Sequence, residues 1–406
     1  MKTANKKIEL LAPAGDISRL RYALAYGADA VYLGLPQFSL RAKTGFDFND
    51  LKAGIIYAHK LKKKVYVTVN VFAHETHIVL LPKFLKQLKS CQPDAIILSD
   101  PGVLNLAKKY LPKTPIHLST QANTLNSAAV KFWQKNGVKR IILGREASLE
   151  DIKKIHRAAP KMELEVFVHG AMCLSYSGRC YLSAELAKRS ANLGECSQPC
   201  RLPYKIYAEE TSRPGRLFEI VEDGKGLYFM NSRDLCLIGY LADLAKAGVV
   251  SFKIEGRTKS QYYAACVSRA YRKALDNLGD KKVLAEMKDE LLKIDNRGYT
   301  TGFMAPIGGG KRQNFETSKA KSDWQVVGEV AGQDNKKMEI RIHNSFKIGD
   351  DLELLTPHKI HKLKISNITN QAGDSLTEVH GGTQKTYFIE SPNGLDAKWG
   401  LLRKKL

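Results

Sequence analysis

Eight short apolar runs, each closed by a glycine or a polar residue and most of them followed by a helix-like segment, limit what this chain can fold into more than any other feature. They cover residues 8–11, 30–33, 65–69, 95–99, 116–119, 140–143, 164–168 and 251–254. Alternation of this kind is the mark of repeated βα units, in which helices cover a parallel sheet. Eight such units predict a closed, TIM-like (β/α)8 barrel; a doubly wound open sheet would show the same alternation but would place its ligand where the strand order reverses. In a barrel the residues after the strands meet at one mouth. Here those residues are Gly15, Gly34, Asn70, Asp100, Gln121, Arg145 with Glu146, His169, and Glu255-Gly256-Arg257.

Between the seventh and eighth runs the spacing jumps, so an insertion is expected over about residues 170–250. Within it, residues 203–208, 217–221 and 227–230 read as a small β excursion between turn-rich segments. A helix is expected from Asp234 to just before Gly248, with Leu235, Ile238, Leu241 and Leu244 on one face. Another is expected over 262–275, where Arg269, Arg272 and Lys273 alternate with Tyr263 and Tyr271, and residues 308–314 read as a flexible basic linker. Beyond Trp324 the pattern changes to short runs at 325–330, 337–343, 351–355, 362–365 and 385–389, as in a small antiparallel β-barrel. The expected division is therefore a barrel over 1–320 and a small β domain over 321–406.

Four of the seven cysteines fall between Glu165 and Cys200. Cys173, Cys180, Cys196 and Cys200 are spaced C-x6-C-x15-C-x3-C, with Gly178 and Gly194 placed to let the backbone bend around a bound centre. The N-terminus lacks the apolar core of a signal peptide, and no run of about 18 apolar residues occurs, so a reducing cytoplasmic setting without a membrane is expected. Structural disulfides are rare there. Structural zinc favours paired short knuckles, which only Cys196 and Cys200 resemble. An iron–sulfur cluster accepts looser spacing because each sulfur meets a separate iron. Cluster, zinc and unliganded thiols all remain open on spacing alone, and Cys236 is either a substitute for Cys200 or a packed thiol. Cys91 and Cys266 read as core thiols.

Sixty-four Lys and Arg against 41 Asp and Glu give a formal charge of +23, which favours a polyanionic partner such as RNA. At the mouth, His169 is the candidate for moving a proton near neutral pH. Arg145, Arg179 and Arg257 can present planar forks to carboxylate or phosphate, or can pair with Glu146, Glu195 and Glu255. Glu255 joins His169, Arg145 and Arg257 as a catalytic candidate, and Asn70 and Gln121 are the candidates for contacting a cofactor or co-substrate. No H-E-x-x-H helix and no G-x-S-x-G elbow is present, so hydrolysis would need a cysteine nucleophile paired with His169.

The run Glu165-x-Phe167-x2-Gly170-Ala171-Met172-Cys173-x4-Gly178-x-Cys180-x-Leu182-Ser183 resembles the signature of the collagenase-like peptidase family U32. ELLAPAG from Glu9, YGADAVYLG from Tyr26, HLSTQAN from His117, MNSRDLC from Met230 and FKIEGRTKS from Phe252 extend the resemblance over most of the chain. It implies a barrel with a C-terminal β-barrel domain. Despite the family's name, it implies iron–sulfur proteins that hydroxylate RNA or ubiquinone precursors more than it implies proteolysis. By length and tail the chain is most similar to members that convert wobble uridine of tRNA to 5-hydroxyuridine using prephenate. The resemblance thus implies a 4Fe–4S cluster on Cys173, Cys180, Cys196 and Cys200, tRNA as partner, and a dicarboxylate co-substrate gripped by Arg145 and Arg257. Collagenase-like proteolysis, or RNA binding around a structural metal, is the alternative. RNA is expected on the helix around Arg269 to Lys273 and on the C-terminal barrel.

Overall fold

The computed structural model describes residues 8–40, 45–173, 175–176, 179–202, 204, 206–209, 211–212, 214–215, 217–220, 232–304, 320–334, 336–382 and 385–406. The expected strand at 227–230, the linker at 308–314 and Gly178 lie outside these residues.

Seven parallel strands, β1 (Glu9–Pro13), β2 (Ala30–Gly34), β3 (Lys64–Thr68), β4 (Ala95–Leu98), β5 (Ile116–Leu118), β6 (Arg140–Ile142) and β7 (Glu163–Ala171), pair in sequence order. Helices α1 (Ile17–Ala25), α2 (Phe48–Lys60), α3 (Glu75–Cys91), α4 (Pro101–Tyr110), α5 (Ser127–Lys135) and α6 (Leu149–Ala158) connect them. Polar residues after the strands start several of these helices: Asp16, Asp100, Asn126 and Ser148 each accept a backbone N–H of the first turn. Asp100, expected at the mouth, is spent in this way.

The insertion follows. It contains α7 (Leu182–Ala187), an antiparallel hairpin of β8 (Ile206–Glu209) and β9 (Leu217–Ile220), a short strand β10 (Asp234–Cys236), and α8 (Leu241–Lys246). The helix expected from Asp234 thus begins later. Its first residues are drawn into the sheet because β7 runs past the barrel rim and offers Ala171, Gly170 and His169 as antiparallel partners to Asp234, Leu235 and Cys236. Strand β11 (Val249–Ile254) is parallel to both β7 and β1, which closes an eight-stranded barrel. Helices α9 (Gln261–Asp276) and α10 (Lys281–Leu292) and strand β12 (Tyr299–Thr300), paired to β10, complete this part.

The C-terminal unit holds β13 (Trp324–Gln333), β14 (Lys337–Ile342), β15 (Phe346–Lys347), β16 (Asp351–Leu355), β17 (Ile360–Lys364), β18 (Ile368–Thr369), β19 (Glu378–Val379), β20 (Thr386–Glu390) and β21 (Leu401–Lys405). Seven of them form an antiparallel half-barrel in the order β17-β16-β21-β13-β14-β20-β18, with β15 and β19 as a separate pair. Its own apolar core gathers Val327, Met338, Ile340, Leu354 and Leu402.

Helix α9 is the seat of this unit, which corrects its expected role as an exposed basic surface. Arg269 is buried, and Arg272 is bound to Asp29 at 2.9 Å and to Asp276. Only Lys273 keeps a partly open ammonium. The basic residues of α9 serve internal packing because both the barrel and the half-barrel press on it. Tyr26, which caps the C-terminal end of α1, donates its hydroxyl to the carbonyls of Leu355 and Trp399, both at 2.7 Å. Arg403, fully buried on β21, donates to Glu353 at 2.6 Å and to Glu290 of α10 at 2.8 Å. Removing one partner from such a cluster leaves uncompensated buried charge. Arg403→Met is therefore expected to cost about 3–5 kcal/mol of unfolding free energy, measured by urea denaturation followed by circular dichroism.

Candidate active site at the barrel mouth

The barrel interior carries charge where such barrels usually carry layers of branched apolar side chains. Arg140 on β6 reaches Glu9 of β1, Glu163 at 3.0 Å and Glu165 at 3.1 Å, both of β7. Glu9 also accepts from Tyr66 at 2.6 Å and from Ser251 at 3.0 Å. One layer higher, Lys253 of β11 donates to Glu165 at 3.0 Å and lies 4.3 Å from the centre of the Tyr32 ring. Burial lowers the pKa of Lys253, and the Glu165 carboxylate opposes that shift. Alternation along β11 sends Ser251 and Lys253 inward and Phe252 and Ile254 toward the helices. The same ladder continues to Glu255 at the rim.

Lys253 floors a cavity of about 230 Å³ that opens at the C-terminal ends of the strands. Five expected mouth residues, Asn70, Gln121, Arg145, Glu255 and Arg257, line it. Asn70 donates to the Gln121 side chain at 2.8 Å. Arg145 stacks on Phe167, 3.9 Å from the ring centre, with its guanidinium 4.0 Å from Glu255, which also accepts from the Tyr32 hydroxyl at 3.1 Å. Arg257 shares the wall, but its fork is engaged by Ser39 at 2.6 Å, by Thr68 at 3.0 Å and by the Leu40 carbonyl. A Cβ on Gly34 would lie 2.2 Å from the Ser39 hydroxyl and 2.3 Å from that of Thr68, so the glycine reserves room for this bonding. The expected pair of open arginine forks is thus corrected. Of the cations that the barrel itself supplies, Arg145 and Lys253 are turned to the cavity, while Arg257 braces its wall.

Cys173, Cys180, Cys196 and Cys200 line the same cavity from the insertion side. Burial pushes the Cys200 thiol up; Arg201 opposes this, and the other three cysteines add to the rise. Among the described residues no three acidic, cysteine or histidine side chains form a group that could hold a single metal ion, while the four thiols line one cavity and three of them are near enough to Cys200 to raise its pKa. Two tethers hold this loop to the barrel. The Asn192 side chain accepts from the Cys180 N–H at 3.2 Å, and its carbonyl accepts from the Phe72 N–H at 3.3 Å. Arg179 donates to the Gln121 carbonyl at 3.0 Å. Arg189 and Arg201 also line the cavity, although no motif in the sequence singles them out.

His169 is not at the mouth. The pairing runs Lys253↔Phe167 and then Ile254↔His169, so β7 carries one extra residue, Val168. This bulge reverses the alternation and turns the His169 ring outward. There it lies among Tyr263, Tyr271 and Tyr299, with its Nδ1 3.3 Å from the Tyr271 hydroxyl. Gly170 follows with φ +109°, and a Cβ there would lie 2.4 Å from the Glu255 carbonyl. Cys236 lies on this outer side as well, its sulfur 3.7 Å from the same hydroxyl and its thiol raised by burial. His169 is turned away from the cavity that the four thiols line, so the expected histidine–cysteine pair that proteolysis would need is not formed there; Cys236, opposite His169 on β10, packs beside it against the Tyr271 hydroxyl.

Comparison with known proteins agrees with the architecture. Residues 15–314 match the peptidase family U32 model and residues 322–403 match the U32 C-terminal domain model. The tRNA hydroxylation protein P of Escherichia coli (strain K12) is 39% identical over 98% of this chain and 97% of its own. The 23S rRNA 5-hydroxycytidine C2501 synthase of the same organism is 35% identical over 93% of this chain and 57% of its own. A collagenase of Porphyromonas gingivalis (strain ATCC BAA-308 / W83) is 30% identical over 73% of both.

Burial among the tyrosines lowers the pKa of His169 from 6.5 to about 3. Unfolded chains protonate this imidazole near its ordinary value, so between about 6.5 and 3 the unfolded state binds more protons. The contribution of His169 to stability is complete above that window and is lost as pH falls through it. His169→Gln is expected to lose less melting temperature than the unaltered protein between about pH 7 and pH 4, measured by thermal unfolding.

Proposed function

Because the chain belongs to peptidase family U32 and brings four thiols and the barrel cations Arg145 and Lys253 to one cavity, we propose that it is an RNA-modifying enzyme. The reaction is hydroxylation of tRNA wobble uridine to 5-hydroxyuridine, with prephenate as co-substrate. The observation that carries this reading is the sharing of one space by the thiols of the insertion and the cations of the strands. The relatives named for tRNA and rRNA hydroxylation support the reaction class.

Cys173, Cys180, Cys196 and Cys200 would hold a 4Fe–4S cluster, which when bound supplies electron transfer. The donor set fits. Four soft thiols on one cavity are the ligand type that an iron–sulfur centre takes, and Arg201 beside Cys200 offsets their negative charge. Lys253 and Arg145 take the two carboxylates of the co-substrate, the guanidinium in bidentate fashion and the ammonium as a buried point charge. Glu255, between Arg145 and the Tyr32 hydroxyl, is placed to hold a proton at its carboxylate. Asn70 and Gln121 orient the bound molecule along the opposite rim. The charge of +23 favours the RNA.

Two measurements test this. Replacing any one of the four cavity cysteines by serine is expected to remove most of the iron from anaerobically reconstituted protein, whereas Cys236→Ser keeps it; a preparation that takes up only zinc overturns the cluster. In a strain lacking the gene and any paralogue, mass spectrometry of tRNA is expected to show loss of 5-hydroxyuridine. Persistence of that nucleoside at its normal level overturns the activity.

A further inference from the structure

Among the described residues only three tyrosines are exposed, and all three lie in the insertion: Tyr176 at 55%, Tyr181 at 73% and Tyr207 at 47%. Every other described tyrosine is buried or half-buried. A phenol ring left in water is poorly used unless something stacks on it, and all three rings belong to one excursion. Their placement is specific. The Tyr176 carbonyl accepts from the Arg179 N–H at 2.9 Å, and Tyr181 directly follows Cys180, so both rings stand beside a thiol-bearing turn. Arg179 fixes this turn to the rim through the Gln121 carbonyl, its guanidinium 5.9 Å from the centre of the Phe72 ring. Lys188 is exposed at the end of α7, and Arg189 and Arg201 lie inward on the cavity wall.

We propose that Tyr176 and Tyr181, flanked by Arg179 and Lys188, form the docking surface for an unpaired RNA loop at the entrance of the cavity. The proposal rests on the RNA-modifying reading and replaces helix α9 as the binding surface, since α9 is covered. A base that is to react inside the cavity must leave its stack, and loop bases are already free to do so. Exposed rings take up the neighbouring bases by stacking, which tolerates sequence, while the cations follow the backbone. A duplex, with its bases already stacked on one another, offers these rings nothing.

The test uses the full chain and fluorescence anisotropy with two probes, an unmodified tRNA anticodon stem-loop transcript and a blunt duplex of the same stem. Tyr176→Ala and Tyr181→Ala are each expected to weaken stem-loop binding about tenfold, the scale of one lost stacking contact, and to leave duplex binding unchanged. Lys188→Ala is expected to reduce the dependence of log affinity on log salt by about one. Phe132→Ala, which removes an aromatic ring 58% exposed on α5, is the control and is expected to change nothing. Melting temperatures of all four variants check that each is folded. Unchanged stem-loop binding in both tyrosine variants, or equal loss on stem-loop and duplex, overturns the docking surface while leaving the RNA reading intact. A shift from oligomer to monomer in those variants, with RNA binding unaltered, likewise overturns it and assigns the rings to self-association. Failure of the unaltered protein to bind either probe instead overturns the RNA reading on which the proposal rests.

Discussion

A guanidinium inside a barrel is tolerable only when its charge is answered on every side, and Arg140 meets that condition through carboxylates from two different strands. Burying an ion costs several kcal/mol unless partners and hydrogen bonds replace its water. Glu9, Glu163 and Glu165 do so, and Glu165 passes the arrangement upward to Lys253. Because the partners come from β1, β6, β7 and β11, a slip of one residue in any of these strands would turn a charge into the apolar layer under the helices. The ion network therefore does more than fill space. It holds the strand register, and through the register it sets the height at which an ammonium meets the cavity.

The chemistry is divided between two kinds of support. Cations, the Glu255 carboxylate and the Asn70–Gln121 pair come from strand ends and the turns directly after them, where backbone pairing limits motion. The thiols come from a long excursion, held by hydrogen bonds to the exits of β3 and β5 and by the pairing of β10 with β7. Sites built on regular elements keep their geometry better than sites on loops, and an excursion can adapt to what it holds. Such a division suits a cavity that takes a small anion on one side and a larger guest on the other.

The eight barrel strands were legible because helices on one side and a packed interior on the other give short apolar runs with polar exits, and the barrel follows from their number. The clustering of the four cysteines was equally plain. His169 was misplaced because its orientation depends on one surplus residue, Val168, and a bulge has no signature in a run of apolar residues. Lys253 was overlooked although the signal was present: Ser251, Lys253 and Glu255 alternate with Phe252 and Ile254, which puts polar groups on the inner face. The basic residues of α9 were misread for a different reason. Their partners, such as Asp29 for Arg272 and Glu290 of α10 for Arg269, lie on other elements, and charge counting cannot tell a buried cation with remote partners from a solvated one. β21 was missed likewise, since Leu401-Leu402-Arg403-Lys404-Lys405 reads as a charged tail until Glu290 and Glu353 are brought beside Arg403.

Closure of the barrel by β11 bears on the order in which the molecule can form. Each pairing from β1 to β7 joins neighbours in the chain, but Glu9 meets Ser251 across 242 residues, and the whole insertion lies between β7 and the strand that seals it. Contacts of such long range form slowly, because chain entropy must be surrendered before they reward it. Until then the charged interior stays hydrated on an open sheet, and only the arrival of β11 expels that water. Maturation of the cavity is thus a late event, coupled to sealing: the excursion that bears the thiols is synthesised in full before the compartment beneath it exists.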